Sequence, residues 1–326
     1  MEVPNFMKDD NITQECKNLI SSLPLDKDFL GKNNLCNYKG FWYHYNTLQG
    51  ILNVENHFRP RDTDIIVASF PKTGTTWLKA LTFALVERGK YNANPENHPL
   101  LSQNPHILVP FLEVDLYLER QNPDLTNHGS PRKMFGTHVP FFMLQESVKD
   151  SPCKIVYVSR NLKDAIVSDW IFRNKYMKSA MHGASFEVFF QSFCRGVNFF
   201  GPFWDHVLSY WKASLENPKH VIFMKYEDLK KEPRVQIKRL AEFLDCPFTE
   251  EEEESGLVDE ILKLCSLRNL SNLEANKTGS ICNLEFKDFF RKGEVGDWKN
   301  HLTSDMAKKI DDVMEEKLRG SGLKFE

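Results

Sequence analysis

Residues 64–89 read DIIVASFPKTGTTWLKALTFALVERG, and this stretch decides the fold. Asp64 to Phe70 is a short apolar strand that runs into a tight loop carrying Lys72, Gly74, Thr75 and Thr76. From Thr76 to Glu87, the residues Trp77, Leu81, Ala84 and Leu85 recur at helical spacing, so strand, loop and helix follow one another. Such a loop offers an anion its backbone N–H groups and the positive end of a helix dipole. The nucleoside-triphosphate pattern G-x-x-x-x-G-K-[S/T] does not fit. Ser69 stands at its first glycine, Gly74 is followed by Thr75, and the lysine has moved ahead of the glycine, to Lys72.

Outward from this unit the same alternation continues. RKMFGTH (132–138) predicts a strand ending at His138, and CKIVYVSR (153–160) a buried parallel strand, by its near-continuous apolar run. NLKDAIVSDWIFRNKY (161–176) predicts a helix, HVIFMKYEDL (220–229) a strand, and PRVQIKRLAEFL (233–244) a helix with Pro233 near its start. The pattern implies an α/β fold. A single domain over 1–326 carries a central parallel sheet flanked by helices and a P-loop-like strand-loop-helix. Ligands of such sheets bind at the carboxyl ends of the strands, here the loops after Phe70, Tyr157 and Met224. Residues 1–40 read as a peripheral segment. The stretch 268–298 shows no clear periodicity, is polar and punctuated by aromatics, and reads as a lid. TEEEEES (249–255) reads as a solvated helix start.

The composition narrows the function. A net charge of −3 argues against a nucleic-acid binder, so any anion site is a local cluster of positive charge. Seven cysteines, an odd number without a C-x-x-C, argue against a disulfide framework or a zinc site, and a reducing compartment fits. The first residues lack the apolar core of a signal peptide, and no apolar run approaches the ~20 residues needed to cross a bilayer. The expected location is cytoplasmic, with no membrane or nucleic-acid partner.

Individual residues allow more than one reading. Arg160 ends a strand and is either an ion-pair partner of Asp164 or a fork for a phosphate. Trp77 is either core or a flat face for a purine, and Tyr226 by itself reads as a half-buried sheet tyrosine. His138, one of ten histidines, ends a strand two residues before Pro140 and titrates in the range a general base needs.

Taken together, FPKTGTTW (70–77) resembles the 5'-phosphosulfate loop of cytosolic sulfotransferases, enzymes that move a sulfuryl group from 3'-phosphoadenylyl sulfate (PAPS) to a hydroxyl and release adenosine 3',5'-bisphosphate (PAP). The resemblance implies that Lys72, Thr73, Gly74, Thr75, Thr76 and Trp77 hold the donor. It implies a 3'-phosphate site from Arg160 and Ser168 and from the RKGxxGDW signature at 291–298, with Arg291, Lys292 and Gly293. Tyr226 corresponds to an adenine contact, and Cys265 and Ser266 lie near further ones. Ser168 would bond Lys72 before the acceptor arrives. His138 stands in the family's KTHxP context as the catalytic base, with Gly136 in place of the motif's lysine. No metal is required.

The resemblance runs from about Gly40 to about Asn300 and points to the plant branch, whose acceptors include flavonoids, brassinosteroids and other small hydroxylated molecules. Trp42, Phe111, Phe141, Trp170 and Phe172 are candidates for an apolar acceptor pocket. The animal dimer motif K-x-x-x-T-V-x-x-x-E is matched at Lys299 and Thr303 but not at Ser304 or Lys308, which favours a monomer. A P-loop-type small-molecule kinase and a non-catalytic nucleotide-binding module stay open as alternatives.

Overall fold

The computed structural model describes residues 3–91, 95–125, 132–177, 181 and 184–325. Three short strands, β1 (Leu25–Lys27), β2 (Asn34–Tyr38) and β3 (Phe41–Tyr43), make an antiparallel sheet near the amino end. The central sheet is parallel and contains β4 (Ile65–Ser69), β5 (Met134–Thr137), β6 (Lys154–Ser159) and β7 (Val221–Lys225), in the order β5-β4-β6-β7. Ile65 lies opposite both Met134 and Lys154, and Ile155 opposite Val221.

β4 is buried along its whole length. Its alternate residues enter different cores: Ile66 and Ala68 join one apolar cluster with Phe135, Ile155 and Tyr157, and Ile65 and Val67 join another with Met134, Val156 and Val158. That is the two-residue period of a strand covered on both faces. β4 is also where the chain order reverses. The chain leaves it sideways to β5 and then returns across it to β6, so a crevice opens beyond its carboxyl end.

The helix after β4 spans Thr75–Tyr91, and the one after β6 spans Leu162–Tyr176, capped by the Asn161 side chain accepting from Lys163 N. The expected strand 220–229 stops at Lys225. Tyr226 instead opens a helix, Tyr226–Lys231, whose first turn carries Glu227 and Asp228, favourable to a helix amino terminus. Pro233 starts the next helix, Pro233–Phe243, and Thr249–Glu252 forms a capping box on an exposed one.

Two segments differ from their sequence reading. Residues 1–40 are no mere periphery: Phe6, Met7, Cys16, Ile20 and Cys36 are buried in the same cluster as Ile66 and Phe135. The segment is fastened to the helix Tyr45–His57, where Thr47 Oγ1 donates to Phe6 O at 2.6 Å and Asn46 Nδ2 to Asn5 O at 2.8 Å. Nor is 268–298 structureless. It folds as the short helices Leu267–Asn272 and Glu274–Lys277, a hairpin pairing Ser280–Ile281 with Leu284–Glu285, and a tight turn Phe286–Phe289. Pieces of two to six residues are too short to show a period. All seven cysteines are free thiols. Among the described residues no helix is long and apolar enough to cross a membrane.

Candidate active site

Each strand of the central sheet delivers a site residue just beyond its carboxyl end. β4 leads to Lys72 and Gly74, β5 to His138, β6 to Arg160 and β7 to Tyr226. These residues line one continuous cavity of about 380 Å³.

The loop after β4 is stitched to the sheet from below. Thr73 is fully buried, and its Oγ1 donates to Phe70 O at 2.7 Å and Val158 O at 3.1 Å, so its hydroxyl braces the loop and does not reach the cavity. The hydroxyls of Ser69 and Thr75 share a hydrogen bond of 2.6 Å. Gly74 has φ +116°, and a Cβ there would stand 2.7 Å from the Tyr226 ring, so only glycine fits between loop and tyrosine. Trp77 meets Tyr226 edge to face at 5.4 Å, and both line the cavity with Cys265 and Ser266.

Lys72 itself is held in the left-handed region, φ +67°, a costly conformation for a side-chain-bearing residue. Its ammonium sits 3.5 Å from the centroid of Phe172. Ser168 is buried in the same cavity. Among the described contacts Lys72 makes this cation–π contact and no hydrogen bond to Ser168. Desolvation, with Lys175 and Arg291 adding repulsion, lowers the Lys72 pKa to about 7 despite Asp169 and Asp288.

A second cluster of positive charge forms where the helix after β6 meets residues 291–298. Arg160 pairs with Asp164 at 3.1 Å, donates to Glu294 O and lies 4.5 Å over the Tyr226 ring. The ion-pair reading of Arg160 is seen directly, and its buried Nε has no hydrogen-bond partner. Arg291 lines the cavity with a hydrogen bond to Asp297. Burial alone would raise the Asp297 pKa, but hydrogen bonds from Lys292, Arg291 and Asn300 outweigh it and keep the carboxylate ionised. Lys292 is spent on Asp297 at 2.7 Å and does not line the cavity. Gly293 does, at φ +64°, with Leu267 only 2.8 Å from where a Cβ would be.

His138 has one ring nitrogen spoken for. Nδ1 lies 2.7 Å from Ser69 O. A carbonyl only accepts, so Nδ1 carries the proton and Nε2 is the free base. The backbone is fixed as firmly. His138 N donates to Glu113 Oε1 at 2.7 Å, Thr137 Oγ1 to Glu113 Oε2 at 2.9 Å, and His206 Nε2 to His138 O at 2.8 Å. Desolvation, with Lys79, His206 and Lys72 nearby, lowers the imidazole pKa to about 3, against the bond to Ser69, and so keeps the ring neutral.

Of the aromatic residues singled out for an acceptor, Phe111 and Phe172 line the cavity, whereas Trp42, Phe141 and Trp170 are not among its lining residues. Phe6, Phe199, Phe200 and Phe289 also line it and were not foreseen. The Gly201-Pro202 dipeptide marks a turn after Phe200 but does not say what that ring faces, and Phe6 has no neighbouring signal at all. Glu113 and Lys79 were missed as well, since neither belongs to a recognisable motif.

The chain matches the sulfotransferase domain family over residues 62–322. It is 62% identical to cytosolic sulfotransferase 5 of Arabidopsis thaliana over 97% of this chain and 98% of that one. The solved structure of a candidate steroid sulphotransferase from Arabidopsis thaliana is 44% identical, covers 100% of both chains and superposes with a TM-score of 0.78. Mouse sulfotransferase SULT7A1, solved with PAP, is 28% identical over 88% of this chain and 95% of that one, with a TM-score of 0.66.

Proposed function

Because the chain belongs to the sulfotransferase family and takes its sulfuryl group from PAPS, we propose that His138 is the general base and that Lys72 and Arg160 grip opposite ends of the donor. The observation that carries this is the contact of His138 Nδ1 with Ser69 O at 2.7 Å, which assigns the proton to Nδ1 and leaves Nε2 as the base of a residue that lines the cavity.

The site suits such a donor. The buried Arg160 Nε has no hydrogen-bond partner, and Gly74 and Gly293 line the same cavity without a side chain. When bound, PAPS supplies a sulfuryl group on a mixed anhydride. His138 Nε2 takes the proton of the acceptor hydroxyl as its oxygen bonds to sulfur. Lys72 faces the bridging oxygen that leaves on PAP. Thr75, Thr76 and the loop N–H groups hold the 5' end, while Arg160, Ser168, Arg291 and Gly293 take the 3'-phosphate and Trp77 and Tyr226 the adenine. Positioning and electrostatics then do most of the catalysis. Thr73 and Lys292 support these residues from behind.

For the acceptor we infer a flat, largely apolar molecule with a phenolic or alcoholic hydroxyl, of flavonoid, brassinosteroid or other steroid type. The walls of Phe6, Phe111, Phe172, Phe199, Phe200 and Phe289 support it, as does the likeness to a candidate steroid sulphotransferase. Residues 268–298 act as the lid that carries Phe289 and Arg291 to the site. The enzyme is cytosolic, as its relatives' names have it, and works as a single-domain monomer, since Ser304 and Lys308 depart from the dimer motif.

The test is transfer from labelled PAPS to a panel of phenols, flavonols and steroids, by wild type and His138→Asn. Sulfated product from the wild type alone, with PAP binding kept by both, supports the reading. Undiminished turnover by the variant overturns it.

A further inference from the structure

Position 136 is glycine where the family motif has lysine, and the space beside it is filled from another element. A Cβ on Gly136 would stand 2.5 Å from Lys79 Nζ. Lys79 belongs to the helix Thr75–Tyr91, one turn beyond the donor loop, and is fully buried. A buried amine needs partners. Its Nζ lies 3.2 Å from the centroid of Phe111 and 3.3 Å from His106 Nδ1. His106, also buried, carries the contact onward through Nε2, 2.9 Å from Thr76 Oγ1. Lys79 does not reach the cavity, whereas His106, Thr76 and Phe111 line it.

The chain of contacts can carry hydrogen bonds from Lys79 towards Thr76. A lysine nitrogen carries N–H groups whether charged or neutral, and the π face of Phe111 also calls for hydrogens. Burial pushes the Lys79 pKa well down, while Glu113 and Asp115 oppose that. Desolvation keeps His106 neutral, with Lys79, His138 and Lys72 adding to the effect, so its ring has one proton to place. With Lys79 donating to Nδ1, that proton is on Nε2. Nε2–H then donates to Thr76 Oγ1, and the threonine's own hydrogen is left over. In the other tautomer, Nδ1–H would donate to the lone pair of a neutral Lys79 amine, and the Thr76 hydroxyl would be consumed by Nε2.

We propose that Lys79 is a positioning residue for the donor: through His106 it orients the Thr76 hydroxyl so that its hydrogen points to the 5' oxyanion. The inference rests on the reading that Thr76 holds that end of PAPS.

The test is a double-mutant cycle on PAP binding with Lys79→Met and Thr76→Val, two side chains whose described hydrogen bonds are joined through His106. Each single variant is expected to raise the PAP dissociation constant about tenfold, and the double variant no further than either. Multiplying effects overturn the relay but leave the donor-loop reading intact. An unchanged constant for Thr76→Val, while Arg160→Ala raises it, overturns both. If Lys79→Met does not fold, the native protein still decides. In ¹⁵N-histidine spectra, with His106 identified by its loss in His106→Gln, the Nε2–H tautomer supports the proposal and Nδ1–H overturns it.

Discussion

The Asp164 carboxylate accepts the main-chain N–H of Gly296 at 2.8 Å. Its other oxygen accepts Trp298 N at 3.0 Å, and Arg160 completes the pairing at 3.1 Å. One fully buried side chain thereby joins the helix after β6 to the 291–298 segment, and Arg160 is held between the two. Asp164→Ala is expected to raise the PAP dissociation constant at least tenfold, since it frees Arg160 and unfastens Gly293 together. Hydrogen exchange at 291–298 should rise in parallel. Unchanged exchange there would contradict the linkage.

His138→Ala should lower kcat by roughly 10²- to 10⁴-fold, the usual worth of a general base. PAP affinity should stay within about threefold, because the base faces the acceptor and not the adenine. Single-turnover rates and calorimetric titration separate the two.

Lys72→Ala and Arg160→Ala should fail in opposite ways. The lysine variant loses roughly 10²-fold or more in kcat with a modest change in PAP affinity. The arginine variant loses about 10- to 100-fold in PAP affinity, as expected for an unmade charge-assisted hydrogen bond. Equal losses in both parameters would mean that the two ends of the donor are misassigned.

The depressed Lys72 pKa, about 7, sets a pH dependence. The bound 5' anion favours the protonated amine, so the pKa rises on binding and a proton is taken up near neutral pH. PAP affinity should therefore be flat below about pH 7 and fall as pH climbs above it. Calorimetry in two buffers of different ionisation enthalpy measures the uptake, which should vanish in Lys72→Met.

Acid should destabilise the fold earlier than the carboxylates alone would dictate. Both ring nitrogens of His44 are buried without a hydrogen-bond partner, and desolvation aided by Arg173 lowers its pKa to about 3. Desolvation also lowers His206 to about 4, against the bond it makes to His138 O. Unfolded histidine titrates near 6.5, so between there and pH 4 the unfolded chain binds protons that the folded one refuses. Stability is then lost as pH falls. His44→Gln should reduce the slope of unfolding free energy against pH by about one proton, ~1.4 kcal/mol per pH unit. Urea titrations between pH 7.5 and 4.5 read this directly.

Much of the site was legible because local chemistry requires it. Gly74 beside Lys72 and the threonines suggests an anion from a few consecutive residues, whereas Arg160 and the RKGxxGDW run point to one only through the family resemblance. β4 and β6 were equally plain, since a strand covered on both faces must be apolar throughout. The acceptor wall was not legible. Phe6, Phe200 and Phe289 meet only through long-range packing, and a chain with 25 phenylalanines gives no local cue to which of them face a ligand. Tyr226 was placed in a strand because apolar residues run up to it; the acidic pair that follows was the cue to the helix. Glu113 stayed hidden because its task, bonding the His138 backbone, leaves no trace in spacing.

Phe6 and Gly293 stand near opposite ends of the sequence yet wall one chamber. A nascent polypeptide emerging from the ribosome thus has no chamber until its late portion has been made and has come back to meet its beginning. The apolar faces of Phe6, Phe199 and Phe200 are therefore made before the segment that completes the chamber.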